Sequence, residues 1–412
     1  MTLVSTSNLT LKIDNPDFSG YKTAASDAVS AVKERAGKPG MFLNWIEKLP
    51  KTQIENIDKL YELAEKAKNG RFTDLAVLGI GGSRHTNEAL TKLTGRDSNI
   101  HFYSSVDPES FNRFISSLNL NKTHFLVVSK SGGTLETTSA YENTKKVLQE
   151  FLNTKDVSDR FTAMTDISSE KSKLRKLAEA GEIKLSGLVH DDVGGRFSIF
   201  DDASIFTLAF LGVKKDDVLD MLKSSLAAQE KFMTPDISKN AALQQALFNV
   251  QSKLNGRQKH FIEYFGDAFA GAVLWEKQLK NESLKAQIST DANIGPGYLH
   301  YNAEADLDKN NKDSFYTFVY AKPQDKLTKA VLTGVIKAYS NMHPVSCIEL
   351  KDLSFASIAE FIEFKHFETL YTGIILRMHQ GNKTPEGVAF AEVLQPNVEI
   401  YKKEVKSAMA QE

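Results

Sequence analysis

The segment 129–134 places hydroxyl, ammonium and glycine groups at the point where an apolar run ends. The run HFLVV at 124–128 is followed by Ser129, Lys130 and Ser131, then by two glycines and Thr134. Glycines let backbone N–H groups converge, hydroxyls add donors, and a helix starting at Thr134 contributes partial positive charge. The segment therefore predicts a phosphate-binding turn. It lacks the Gly-Lys-Ser/Thr ending typical of nucleoside-triphosphate loops.

A second glycine-rich turn, GIGGS at 79–83, follows the apolar run 74–78. It lacks the third glycine of a dinucleotide fingerprint, and no acidic residue ends a strand near residue 100. An ordinary strand–helix turn that needs positive φ would also explain it. Two phosphate-type turns so close in the chain favour a phosphosugar ligand.

Both turns lie in a segment where apolar runs alternate with helical patterns. Strands are predicted over 74–79, 100–103, 124–129 and 161–165. A second alternation has strands predicted over 260–265, 285–288, 315–320 and 345–350. Residues 1–70 are predicted to be mostly helical after a polar start, as are residues 203–256. Strands that alternate with helices predict parallel sheets covered on both faces, hence the α/β class.

The same alternation sets the predicted domain boundaries. Residues 1–60 form an N-terminal helical segment, and 61–215 form the first α/β domain, which carries both turns. Residues 216–392 form the second α/β domain, and 393–412 form a helical tail that completes the site.

Bulk composition restricts the classes of partner. The 412 residues carry 51 basic and 52 acidic side chains, which argues against a nucleic-acid or anionic-membrane partner. Cys347 is the single cysteine and is predicted to be a buried strand thiol, which fits a reducing compartment. No signal peptide and no apolar stretch of roughly 20 residues is recognised, so a cytoplasmic location is predicted.

No metal or other cofactor is predicted, because the histidines are scattered and offer no ligand cluster at useful spacing. The pairs Asp191-Asp192 and Asp201-Asp202 could suggest a divalent ion, but solvated loop charge is the preferred interpretation. The sequence offers no obvious partner for five of the histidines, namely His85, His101, His124, His190 and His260.

Four motifs in order resemble the glucose-6-phosphate isomerase family. SKSGGTLE at 129–136 resembles the family's phosphate loop, with Gly133 where threonine is usual, and GIGGS at 79–83 matches in full. GGRFS at 194–198 matches a rarer signature. LQPNVEIYK at 394–402 keeps the family's glutamine-to-lysine spacing, although Leu394 and Asn397 depart from its pattern.

The resemblance covers about residues 70 to 402 and implies two sugar-isomerase domains, each a flavodoxin-like sandwich around a parallel sheet. It implies reversible conversion of glucose-6-phosphate to fructose-6-phosphate by ring opening and enediol proton transfer. It also implies a homodimer in which His300 reaches the neighbouring subunit's site.

The resemblance assigns roles to individual residues. Glu282 would carry the proton between C1 and C2, and Arg196 would stabilise the enediolate. His300 would open the ring, a match that is positional, with Glu304 or Asp306 as candidates to orient it. Lys402 would assist at the ring oxygen. The substrate-binding set is predicted to be Gly82, Ser83, Ser129, Lys130, Ser131, Thr134 and Gln395.

Simpler interpretations remain open for several of these residues. Arg196 could be a loop arginine paired with Asp191 or Asp192, and Lys402 a solvated lysine. Two other functions also remain open: a bifunctional phosphoglucose/phosphomannose isomerase on the same fold, and a non-catalytic sugar-phosphate sensor that keeps only the phosphate turn.

Overall fold

A computed structural model of the chain describes residues 2–14, 16–170 and 172–409. The strands are β1 (Thr2–Ser5), β2 (Leu9–Ile13), β3 (Asp74–Leu78), β4 (Ile100–Tyr103), β5 (Thr123–Val128), β6 (Phe161–Thr165), β7 (Leu185–Leu188), β8 (Lys259–Phe265), β9 (Ser289–Gly295), β10 (Ser314–Ala321) and β11 (Val345–Leu350). The helices are α1 (Lys22–Arg35), α2 (Lys48–Lys68), α3 (Gly82–Leu93), α4 (Pro108–Ser116), α5 (Leu135–Leu152), α6 (Lys173–Glu179), α7 (Asp202–Phe210), α8 (Lys215–Phe232), α9 (Ala241–Leu254), α10 (Ala270–Leu284), α11 (Gly297–Asp306), α12 (Lys326–Ser340), α13 (Phe355–His379) and α14 (Pro396–Met409).

The first sheet is fully parallel and has the order β4-β3-β5-β6-β7. Counted along the chain this is 2-1-3-4-5, the flavodoxin-like arrangement. Its strand order reverses between β3 and β5, and ligands of such sheets bind at the carboxyl ends of the strands beside that reversal. The turn after β3 is GIGGS and the turn after β5 is SKSGGT, so both candidate phosphate turns lie at this position.

Apolar side chains cover both faces of the first sheet. Helices α4, α5 and α6 cover one face through residues such as Phe111, Tyr141 and Leu174. Helices α2 and α7 cover the other through residues such as Ala64 and Phe206. Every residue of β5 is buried, as expected for a central strand covered on both sides.

The second sheet has the order β1-β2-β11-β10-β8-β9. Strands β8 to β11 run parallel, whereas β1 and β2 form an antiparallel hairpin whose second strand pairs with β11. The predicted α/β class with two parallel-sheet units is confirmed, although the second sheet is mixed. The exact domain boundaries stay a prediction.

Two local predictions are wrong. The polar start of the chain contains β1 and β2: β2 pairs with β11 far along the sequence, and β1 pairs with β2. No strand forms over 285–288, because Lys285 has φ of 54° and caps the end of α10. The neighbouring strand, β9, begins instead at Ser289.

Helices α3 and α10 join the two units at close range. A Cβ added to Gly271 of α10 would lie 2.3 Å from the carbonyl oxygen of Glu88 on α3. Only glycine permits this approach, so α10, which carries Glu282 in its last turn, is seated directly against the helix that follows the GIGGS turn.

Helix α13 is buried along most of its length and carries charged residues inside the protein. Lys365 lies 3.0 Å from Glu276 and 3.2 Å from Glu368, and Lys280 donates to the same carboxylate of Glu368. These four side chains, all fully buried, are called the α10–α13 ion network. Since Glu276 and Lys280 belong to α10, the network fixes that helix to the core. Among the described residues, no helix has both the length and the apolarity needed to cross a membrane.

Candidate active site

The candidate phosphate turn at 129–134 connects a strand to a helix, as its sequence predicts. Ser129 is buried at the end of β5, and its Oγ lies 3.0 Å from Oγ1 of Thr134. Gly132 has φ of +59°, and a Cβ there would lie 2.1 Å from Ser172 Oγ, so the turn requires glycine at this position. Thr134 caps α5 without a side-chain hydrogen bond to the helix. The first N–H groups of α5 are therefore available to an anion.

Lys130 connects this turn to the loop before Arg196. Its Nζ donates to the backbone carbonyl of Asp191 and lies 3.9 Å from that residue's carboxylate. Burial lowers the pKa of Lys130, although the charges of Asp191 and Asp201 oppose the shift. A lysine in this position adds positive charge where a phosphate would enter.

The GIGGS turn packs backbone to backbone against the Gly194-Gly195 turn. A Cβ added to Gly82 would lie 2.4 Å from the carbonyl group of Gly195. Ser83, Lys130 and Gly195 line one small cavity at the carboxyl edge of the first sheet. The two phosphate-type turns and the GGRFS motif thus meet at a single site.

Arg196 is completely buried and makes three directed contacts. Its Nη1 lies 3.0 Å from Oε2 of Glu282, its Nε donates to Ser283 Oγ at 2.9 Å, and its Nη2 donates to the carbonyl of Glu392. Burial lowers the pKa of the guanidinium, and the Glu282 carboxylate opposes that shift. The partner of Arg196 is Glu282, so the alternative pairing with Asp191 or Asp192 is wrong.

Glu282 receives two further hydrogen bonds. Gln395 Nε2 donates to its Oε2 at 2.6 Å, and Gln278 Nε2 donates to its Oε1 at 2.9 Å. The Glu282 side chain is 23% exposed. Three donors fix its orientation while one side stays open, an arrangement suited to a group that must meet a substrate.

His300 and Lys402 lie outside this group in the single chain. His300 is exposed on α11, and Lys402 is exposed on α14 and pairs with Glu399 at 2.8 Å. Of the two candidates for orienting His300, Glu304 is exposed and Asp306 accepts a hydrogen bond from Tyr339 at 2.9 Å. The structure therefore brings together Arg196, Glu282 and Gln395 but not His300 or Lys402.

Two residues at the site were missed in the sequence. Gln278 lies one helical turn before Glu282, so the i, i+4 spacing could have placed it on the same face. His85 follows the GIGGS turn, and its Nδ1 lies 3.1 Å from Oε1 of Gln278. No pattern in the sequence connects residue 85 with residue 278.

The pair Asp201-Asp202 is buried, so its interpretation as solvated loop charge is wrong. Asp202 accepts from Gln53 at 2.8 Å, and His190 Nε2 lies 3.1 Å from Asp202 and 3.5 Å from Asp201. Burial raises the pKa of Asp201 to about 7. Burial acts to lower the pKa of His190, but the hydrogen bond with Asp202 and the nearby carboxylates raise it overall.

This cluster predicts a stability that falls as pH rises. Because both pKa values are raised, the folded chain holds protons that the unfolded chain has already released, at Asp201 between about pH 4 and 7 and at His190 above about pH 6.5. Asp201→Asn should flatten the decline in the free energy of unfolding between pH 5 and 8 by about 2 kcal/mol, measured by urea unfolding. Asp97→Asn, at an exposed site, serves as the control. An unchanged slope in Asp201→Asn would contradict the assignment.

Gly133, the departure from the family's phosphate loop, has room for a side chain. A Cβ there would meet nothing closer than Ser131 O at 3.8 Å and Lys173 Cδ at 3.9 Å. Gly133→Thr should therefore fold and add one hydroxyl donor. We expect inorganic phosphate to bind about fivefold more tightly, measured by calorimetry, since one such hydrogen bond contributes about 1 kcal/mol. Gly133→Ala is the control, and equal affinities in the two variants would refute the expected donor.

A flavodoxin-like sheet with two candidate phosphate turns at its switch point, close to a buried guanidinium–carboxylate pair, is the arrangement expected of an α/β protein that binds sugar phosphates. The sequence model of the phosphoglucose isomerase family matches residues 47–324, and the chain belongs to this family. Its activity is accordingly the isomerisation of sugar phosphates. The predicted family membership is confirmed.

Individual relatives agree with this assignment. A glucose-6-phosphate isomerase of Clostridium novyi is 25% identical in an alignment 430 residues long. The alignment covers 92% of this chain and 89% of that protein. A glucose-6-phosphate isomerase structure from Chlamydia trachomatis superposes with a TM-score of 0.82 at 15% identity, covering 99% of this chain and 90% of that one. A hypothetical protein from Thermus thermophilus gives 0.82 at 22% identity, covering 95% and 96%. At these identities the two structures establish the fold alone.

Proposed function

We propose that the chain interconverts glucose-6-phosphate and fructose-6-phosphate. The observation that carries the proposal is the placement of Glu282, held by Arg196, Gln395 and Gln278 beside the turns that would bind phosphate. Aldose–ketose isomerisation needs one carboxylate that reaches both C1 and C2, and a nearby cation. The name of the Clostridium novyi relative supports the same substrate.

In the proposed reaction the phosphate anchors the sugar at the turns around Ser83 and 129–134, and Gln395, which donates to Glu282, also contacts the substrate. The Glu282 carboxylate removes the proton from C2, and the electron pair forms the C1–C2 double bond of an enediolate while the π pair of the C1 carbonyl moves onto O1. O1 gains a proton and O2 loses one. As O2 re-forms a carbonyl with C2, the C1–C2 double bond takes the proton back from Glu282 at C1, which completes the ketose. Arg196 supplies fixed positive charge near the oxygens that become negative, which is an effective way to lower such a barrier.

Ring opening requires a proton acceptor at the anomeric hydroxyl and a donor at the ring oxygen. We assign the first task to His300 and the supporting role to Lys402, as the family resemblance implies. His300 is exposed on α11 beside Tyr301, which is 68% exposed, a surface available to a second copy of the chain. The proposal therefore includes a homodimer with His300 donated across the interface.

A mixing experiment tests this arrangement. Glu282→Gln and His300→Gln chains should each be weak isomerases, and hybrid dimers formed after unfolding and refolding them together should recover activity. Sedimentation should report a dimer for the native chain. A fully active monomer, or no recovery from a verified hybrid, would contradict the shared site.

The substrate is tested by a coupled assay with glucose-6-phosphate and mannose-6-phosphate side by side. Strong turnover of the first alone supports the proposal, and comparable turnover of both favours the bifunctional alternative. Binding without turnover would leave the sensor alternative. We also propose a cytoplasmic location, because Cys347 is the single cysteine and the chain can form no disulfide within itself, which fits a reducing compartment.

A further inference from the structure

Three side chains link the GIGGS turn to the candidate proton carrier. His85 Nδ1 lies 3.1 Å from Gln278 Oε1, and Gln278 Nε2 donates to Glu282 Oε1 at 2.9 Å. His85 is on α3, whereas Gln278 and Glu282 are on α10. The chain of contacts therefore crosses the junction between the two units of the fold.

The direction of these hydrogen bonds follows from the chemistry of the groups. An ionised Glu282 can only accept, so the amide nitrogen of Gln278 must face it and the amide oxygen must face His85. That oxygen can only accept in turn, so Nδ1 of His85 must carry a proton. The N–H of the imidazole thus holds the amide oxygen of Gln278, and the amide nitrogen in turn holds the Glu282 carboxylate.

The surroundings of His85 restrict the positions that its ring and the Gln278 amide can take. A Cβ added to Gly81 would lie 3.2 Å from Gln278 Nε2, so the turn itself lies close beside the amide. Burial lowers the pKa of His85; the bond to Gln278 and the charges of Glu88 and Glu282 oppose the shift, and the charge of Arg84 adds to it. A neutral imidazole at pH 7 keeps Nδ1–H for Gln278 and leaves Nε2 as an acceptor.

We propose that His85 is a positioning residue for the isomerase reaction, acting through Gln278 to hold the Glu282 carboxylate in its reactive orientation. The inference rests on the proposed function, because it needs Glu282 to be the proton carrier. His85 itself contacts Gln278, and its proposed role requires no contact with the sugar.

Two substitutions at residue 85 separate the two ring nitrogens. Asparagine places an amide N–H near the position of Nδ1 and preserves the donor to Gln278. Glutamine places its amide N–H near the position of Nε2, so the hydrogen bond to Gln278 is lost. We expect His85→Asn to keep at least about half of kcat, and His85→Gln to lose about tenfold or more with KM changed less than about threefold. His101→Asn, at a partly exposed histidine of the first sheet, is the matched control.

A double variant adds a readout that a purely structural role would not move. In a Gln278→Leu background, His85→Gln should cause no further loss, because the link is already cut.

Equal losses in His85→Asn and His85→Gln would overturn the inference, since they would place the role at Nε2 or in packing. Full activity in His85→Gln would overturn it as well. Failure of the proposed function looks different: the native chain itself would then show no turnover of glucose-6-phosphate. Failure of the role assigned to Glu282 would leave Glu282→Gln with normal turnover, whatever the residue 85 variants do.

Discussion

Glu282→Gln is expected to lower kcat about 1000-fold, because general acid–base groups typically contribute 100- to 10,000-fold. The substitution keeps the size of the side chain and removes its ability to carry a proton. It also leaves one oxygen to meet three donors, those of Arg196, Gln278 and Gln395. At least one donor must then face an NH2 group, so some loss of rigidity accompanies the chemical loss.

The phosphate contacts are on a different strand and turn, so substrate affinity should change less than about tenfold. Calorimetry with fructose-6-phosphate, together with turnover in a coupled assay, separates the two effects. Glu179→Gln, at the exposed end of α6, is a matched control that should behave like the native chain. Normal turnover in Glu282→Gln would remove the residue from its assigned role.

Glu368→Met is expected to destabilise the folded chain by about 3 to 5 kcal/mol. In the α10–α13 ion network, Glu368 accepts a hydrogen bond from Lys280 and is ion-paired with Lys365, and both lysines are fully buried. Asn249 also donates to Glu368. Burial acts to raise the pKa of Glu368, and the two ammonium groups outweigh it and lower the pKa overall. Removing the carboxylate leaves two buried cations to share Glu276.

Urea unfolding of Glu368→Met at pH 7 measures this cost directly. Glu349→Met is the control, because its pair with Lys12 at 2.8 Å is partly exposed and such pairs contribute about 1 kcal/mol or less. Equal destabilisation by the two variants would refute a special role for the buried network. Since α10 carries both Gln278 and Glu282, any folded Glu368→Met protein should also lose turnover.

Local patterns predicted most of the strands that position the site. The bounds of β4, β6 and β11 agree with the prediction residue for residue, because each is a compact apolar run between turn signals. The hairpin of β1 and β2 was missed because β2 joins the sheet by pairing with β11, more than 330 residues away by register. Such pairing leaves almost no mark on the local sequence.

The motifs identified Arg196, Glu282 and Gln395 as site residues, and the fold showed that they touch. Glu282 is 86 residues from Arg196 and 113 from Gln395 along the chain. The link from His85 to Glu282 had no signal in the sequence. It exists because α3 and α10 approach at Gly271, a contact made by packing between the two units.

By itself the sequence determined the chemistry available: a turn of glycines, hydroxyls and lysine suited to phosphate, and a carboxylate and a guanidinium in recognisable motifs. These follow from residue type and short-range spacing, which are local properties. Only the tertiary structure decided which groups meet, that Arg196 is buried against Glu282 rather than paired in its loop, and that Asp201 is buried. Those outcomes depend on which distant segments pack against each other and exclude water between them, and hence on the packing of the whole chain.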